Sequence, residues 1–141
     1  MSKEANIQRK YIEIQTKEHQ IQKAQEQLIN ISHHIQELIK IEVALDEIKK
    51  TKKGTEMLVP LGSGIFARAD LKDNNELLLG VGSKVHVSKD IDETKKIISN
   101  QIRNMEDLAM EVEHGLLDIL DQVQIIQQDL LKIVEDNKKD E

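Results

Sequence analysis

The side chains best able to do chemistry are five histidines, His19, His33, His34, His86 and His114, set among 26 carboxylates and 20 lysines and arginines in 141 residues. Together they could in principle hold a metal or shuttle a proton, but their spacing allows neither. His33 and His34 are adjacent, so on a helix they point about 100° apart. His19 and His114 fall far apart along the chain, and His86 lies in a β-like run. No His-Glu-x-x-His and no histidine pair at i, i+4 exists to present two ligands on one helix face. There is no cysteine, which removes disulfides, thiolate-bound zinc and thiol nucleophiles. Gly62-x-Gly64 and Gly80-x-Gly82 resemble phosphate loops only superficially. No Gly-Lys-Ser/Thr follows either pair, and each leads into an extended run instead of a helix whose N-terminus could hold an anion. Acidic clusters such as Glu111–Glu113 and Asp118–Asp121 have the composition of solvated helix faces. The expectation is no catalytic residue, no cofactor, no metal and no enzyme.

The elements carrying these side chains account for their dispersion. Ile7, Ile14, Ile21, Leu28 and Ile35 recur every seven residues, as do Ile91, Ile98, Met105, Val112, Ile119, Ile126 and Ile133. A sustained seven-residue apolar repeat has one physical use, a helix supercoiled against another along a narrow seam. With Ile7 at position a, the d positions of the first helix are Lys10, Lys17, Ala24, Ile31, Leu38 and Leu45, giving a strong seam from Leu28 onward and a weak one at Lys10 and Lys17. With Ile91 at d, the a positions of the second helix are Lys95, Ile102, Ala109, Leu116, Val123, Leu130 and Asn137. The first helix stops where Lys49, Lys50, Lys52 and Lys53 meet Gly54, cations and a left-handed cap being C-terminal signals. Asp90 with Glu93 three residues later is an N-terminal capping signal for the second. The expected segments are a coiled-coil helix over 1–53, an insert over 54–89 and a coiled-coil helix over 90–141.

Composition points the same way. Aromatics are 1% of the chain, Tyr11 and Phe66 alone, so the large side chains that dominate ordinary cores are missing. The net charge of −6 is uneven. Residues 1–53 carry 10 basic and 8 acidic groups, whereas 91–141 carry 6 and 13, which favours pairing of the two helices with each other. No basic stripe with interleaved aromatics marks a nucleic-acid surface. No run of 18 apolar residues marks a membrane span, and MSKEANIQRKY lacks the apolar stretch of a signal peptide. A cytoplasmic location is expected, with neither nucleic acid nor membrane as a partner.

The insert contains four β-like runs, Glu56–Leu61, Ile65–Leu71, Glu76–Val81 and Lys84–Ser88, separated by turn-forming residues and spaced as two consecutive hairpins. Met57, Val59 and Leu61 alternate onto one face, followed by Ile65 beside Phe66, then Val81, Val85 and Val87. Leu77, Leu78 and Leu79 read as a strand buried on both sides. Hairpins hanging from a coiled coil have no core of their own and leave long edges open. These residues are therefore expected to form an assembly surface for other subunits. At the opposite end, Tyr11, Ile12, Leu131 and Val134 lie beside the weak part of the seam, with Ile7, Ile14, Leu130 and Ile133 on it. These eight are the expected binding surface for apolar segments of other chains.

A long helix, the stretch LVPLGSGIFARADL, a second apolar pair ELLLGVGSKVHVSKDIDE and another long helix together resemble a prefoldin alpha subunit, over the whole chain. Val59 to Gly62 and Val81 to Ser83 carry the more specific part of the likeness. Two hairpins favour the alpha over the beta class, and the short tails are more similar to archaeal members. The resemblance implies a mainly α fold, an antiparallel two-helix coiled coil whose two hairpins join an inter-subunit β-barrel. It further implies a hexamer of two alpha and four beta subunits, an ATP-independent holdase that binds unfolded polypeptides at its coiled-coil tips and delivers them to a group II chaperonin. The competing expectation is a coiled-coil scaffold that tethers folded partners along its charged face.

Overall fold

The computed structural model describes residues 2–139. Along the chain run α1 (Lys3–Lys50), β1 (Glu56–Gly62), β2 (Ile65–Asp70), β3 (Glu76–Gly82), β4 (Val85–Asp90) and α2 (Ile91–Lys139). Contacts divide these into two compact units, residues 1–34 with 105–141 and residues 35–104. In both units α1 and α2 run antiparallel, because contacts pair rising residue numbers on one with falling numbers on the other. Lys10 meets Asp129 and Ile14 meets Ile126 and Leu130 in the first unit, while Asp46 meets Lys95 and Lys49 meets Asp92 in the second.

Burial follows the seven-residue registers. Ile14, Ile31, Leu38 and Leu45 are buried on α1, and Ile91, Val123, Ile126 and Leu130 on α2, with the remaining seam positions from Ile7 to Asn137 half-buried except Lys49, which is exposed at the end of α1. A supercoil buries only its a and d positions, which is why no large side chain is fully enclosed among the described residues. The seam does not loosen at Lys10 and Lys17, as their type suggested. Lys17 is half-buried, and Lys10 lies along the seam with its ammonium 3.9 Å from Asp129 while Ile7, Ile14, Ile126 and Leu130 pack together. The long aliphatic stem of lysine can cover apolar neighbours while its head reaches the rim.

Ser2 caps α1, its Oγ accepting from the Ala5 N–H at 3.2 Å. The helix ends at Lys50, three residues before the lysine run does, and Gly54 turns the chain at φ +85° while its N–H donates to the Leu71 carbonyl at 2.7 Å. Asp90 caps α2 through an Oδ1 that accepts from the Glu93 N–H at 2.6 Å, and the buried Thr94 hydroxyl donates to the Asp90 carbonyl at 2.9 Å.

The insert forms two separate two-stranded antiparallel sheets, β1–β2 and β3–β4. They repeat each other with an offset of 20 residues. Glu56 pairs with Asp70 and Glu76 with Asp90, Val59 with Ala67 and Leu79 with Val87, and the ladders slip at Leu61 and at Val81. Each hairpin turns on two left-handed residues, Ser63-Gly64 (φ +50° and +78°) and Ser83-Lys84 (φ +51° and +62°), the backbone that matches the twist of paired strands. Even the flanking bonds recur, the Leu71 N–H donating to Thr55 at 3.0 Å and the Ile91 N–H to Asn75 at 2.7 Å. The diagonal pair recurs too: Glu56 accepts from Arg68 at 3.5 Å, and Glu76 from the Ser88 hydroxyl at 3.1 Å.

Candidate functional site

The eight helix residues expected to bind other chains divide by the face they occupy. Ile14 and Leu130 are buried in the seam with Ile126, and Ile7 packs against that cluster. Ile133 and Val134 are half-buried. Tyr11, Ile12 and Leu131 are left in solvent, at 54%, 62% and 63% exposure, joined by Ile125. The surface available to a partner is therefore the outer residues, positioned by a seam that Ile14 and Leu130 hold shut. Farther along this unit a shallow groove of about 270 Å³ opens between the helices where the small Ala24 and Gly115 face each other beside Leu116 and Ile119.

The hairpin residues are open to a greater degree. Val59, Leu61, Ile65, Phe66, Leu78, Val81, Val85 and Val87 are exposed, and Met57, Leu77 and Leu79 only half-covered. Leu78 stands 75% exposed, so the burial its sequence demands on both faces is not supplied within the chain. Each two-stranded sheet also leaves the outer edge of both its strands without a ladder partner. Apolar faces and free backbone edges in one place fit addition of further strands from outside the chain.

Next to the hairpins, polar contacts pin α1 to α2 and shape the turn before β3. The Lys95 ammonium bonds Asp46, which lowers the Asp46 pKa and raises that of Lys95, and Lys49 donates to Asp92 Oδ1 at 2.7 Å, lowering the Asp92 pKa. Asp73 Oδ1 accepts from the Asn75 and Glu76 N–H groups at 2.8 and 3.2 Å, and these two bonds hold its carboxyl below the usual range. Lys95 is half-buried and the other four groups are exposed, and together they orient the turn and the helix start.

His19, His33, His34 and His114 sit exposed on the helices, and His86 pairs across the ladder with Gly80. Among the described residues no three of His, Cys, Asp or Glu come together as metal ligands would, and no helix is long and apolar enough to cross a membrane. Sequence reading missed the 20-residue repeat of the hairpins, although Glu56…Gly62-Ser63 and Glu76…Gly82-Ser83 spell it out.

Comparison with known proteins matches residues 17–136 to the prefoldin subunit family. The chain is 32% identical over 100 residues to prefoldin subunit alpha of Methanococcus vannielii, covering 71% of this chain and 66% of that one. It is 28% identical over 130 residues to prefoldin subunit alpha of Archaeoglobus fulgidus, covering 92% and 95%. A third relative, prefoldin subunit alpha of Methanococcus maripaludis strain C5, is 32% identical over 111 residues, 69% of this chain and 75% of that one. Among solved structures, the filamentous PFD from Methanocaldococcus jannaschii superposes with a TM-score of 0.74 at 16% identity, covering 82% of this chain and 96% of that one.

Proposed function

The chain belongs to the prefoldin family of chaperone subunits, and from that premise we propose that it acts as the alpha-class subunit of an ATP-independent holdase that captures non-native polypeptides and passes them to a group II chaperonin. Its partners in this reading are beta-class subunits, four to every two copies of this chain. The hairpin residues from Met57 to Val87 supply the contacts that build the shared β-barrel body. Tyr11, Ile12 and Leu131, with Ile7, Ile133 and Val134 beside them, supply the capture surface, and Ile14 and Leu130 support it from beneath.

The observation that carries the reading is the exposure of Tyr11, Ile12 and Leu131 above a closed seam. Such a surface offers apolar contact without a shaped pocket, which suits partners that have no fixed structure. Several copies in one assembly add up by avidity, so each need bind only weakly. Capture by burial of apolar surface needs no nucleotide.

The test is the combined substitution Tyr11→Ser, Ile12→Gln and Leu131→Gln in the chain co-assembled with a beta-class subunit. All three side chains are on the surface, so assembly and helix content should be unchanged. Suppression of aggregation of a denatured client should fall severalfold. Full protection by an intact assembly would refute the placement of the capture surface.

A further inference from the structure

Within the unit formed by residues 1–34 and 105–141, one side of the coiled coil carries few charges over residues 8–32 and 110–134, while Glu4, Glu106 and Lys138 stand on the same side beyond that stretch. Lys49 with Asp92 and Glu42 with Ser99 join an a position of α1 to an e position of α2, and Asp46 with Lys95 does the reverse. In the first unit Lys10 with Asp129 joins a d position of α1 to a g position of α2, so there too the g positions border one side of the seam and the e positions, with the b positions outside them, border the other. From Gln8 to Ser32 on α1 and from Met110 to Val134 on α2 there are sixteen such positions, and only Glu18 and Glu113 ionise. Six are glutamines; on α2 the rest are Met110, Leu117, Leu120, Leu131 and Val134, with Leu117 59% and Leu120 45% exposed.

The surroundings of this face are acidic. No lysine or arginine stands between Arg103 and Lys132, while seven carboxylates do. Lys10 answers one of them, Asp129, from the opposite side of the seam. Asp121 borders the face, and Glu113 stands on it, with no cationic side chain within a turn along their own helix.

We propose that this lateral face, centred on Leu117 and Leu120, binds extended polypeptide segments that are apolar and flanked by lysine or arginine. The inference rests on the capture function proposed above and extends it in place and in selectivity. Leucines take the apolar side chains. Glutamine amides both donate and accept, so they satisfy the backbone of an extended segment whatever its sequence. The lysine-free carboxylates attract flanking cations and repel acidic segments, and salt weakens that discrimination.

The test uses the full chain, co-assembled as above, and one fluorescent apolar peptide made with lysine, neutral or glutamate flanks, with binding read by anisotropy. Leu117→Gln with Leu120→Gln, both surface changes, should weaken binding of the lysine-flanked peptide about tenfold without altering helix content or assembly. The glutamate-flanked peptide should bind most weakly at low salt and approach the others as salt rises. Unchanged binding in this variant, alongside loss in the Tyr11, Ile12 and Leu131 variant, would overturn a site centred on Leu117 and Leu120, confine capture to the Tyr11 and Leu131 end, and leave the capture function standing. No peptide binding by the unsubstituted assembly would overturn both. Equal affinity for all three flanks would overturn the selectivity, and a change of assembly size in the Leu117 and Leu120 variant would reassign the face to contact between copies of this chain.

Discussion

At the scale of single residues, the hairpin turns show how backbone geometry outranks side-chain preference. Gly64 and Lys84 occupy equivalent places in the two repeats, at φ +78° and +62°. Glycine enters that region freely, whereas a residue with a Cβ is strained there by roughly 1–2 kcal/mol. Part of this is offset because glycine orders at greater entropic cost. Lys84→Gly is therefore expected to stabilise the second hairpin by about 0.5 kcal/mol, and Gly64→Ala to destabilise the first by about 1 kcal/mol. A Cβ at Gly64 would meet no atom within 4 Å, so the effect isolates backbone strain from crowding. Chemical denaturation of the two variants reads the difference, and opposite signs are the expected outcome. The two-residue loops were legible from Gly62-Ser63-Gly64 and Gly82-Ser83, but the left-handed Lys84 was not, since lysine carries no turn signal of its own.

At the scale of elements, the start of α2 and the turn before β3 are held by ionised groups. Asp46, Asp73 and Asp92 have lowered pKa values, the first and last from lysine partners and Asp73 from two backbone donors, while Lys95 is raised by Asp46. A carboxylate lowered on folding contributes stability above its unfolded pKa and loses it as pH falls through the folded value. A lysine raised on folding contributes below its unfolded pKa and loses it as pH rises through the folded value. Thermal stability should therefore be flat across neutral pH, fall below about pH 4 and fall again above about pH 10. Asp73→Asn should flatten the acid limb, because an amide oxygen accepts the same backbone bonds without titrating. A melting series against pH checks both limbs, and an unchanged acid limb in the variant would remove Asp73 from the account. The capping role of Asp90 was readable from its spacing to Glu93. The Asp46–Lys95 and Lys49–Asp92 pairs were not, because the registers alone do not say which turn of α1 meets which turn of α2.

At the scale of the whole molecule, the open hairpins matter most. Leu58, Leu61, Ile65 and Leu78 are each more than 60% exposed, and burying a leucine or isoleucine side chain is worth about 1.5–3 kcal/mol. A chain that leaves such residues in water gains by associating. The chain alone is expected to self-associate, and with a beta-class subunit to form one defined complex whose mass gives its stoichiometry. Leu78→Asp should abolish that complex while leaving helical circular dichroism intact, since Leu78 supports nothing in the helices. A complex of unchanged mass would mean that the second hairpin is not an assembly surface.

The sequence alone determined the two helices and their seam, because a heptad is periodic and each residue's burial follows from its place in the period. It also determined the two hairpins, because glycine-bearing turns and alternating apolar residues are local signals. Only the tertiary structure decided that the seam stays closed past Lys10 and Lys17, so that Ile14 and Leu130, already seam positions by the repeat, are in fact buried there. Lysine at two core positions reads as a loose seam from type alone, and only the packed partner helix shows its stem lying along the apolar contact. The structure likewise brought the b and e positions of two distant helices onto one face, sparsely charged over residues 8–32 and 110–134, since residues about 100 apart in the chain become neighbours only when the antiparallel register is set.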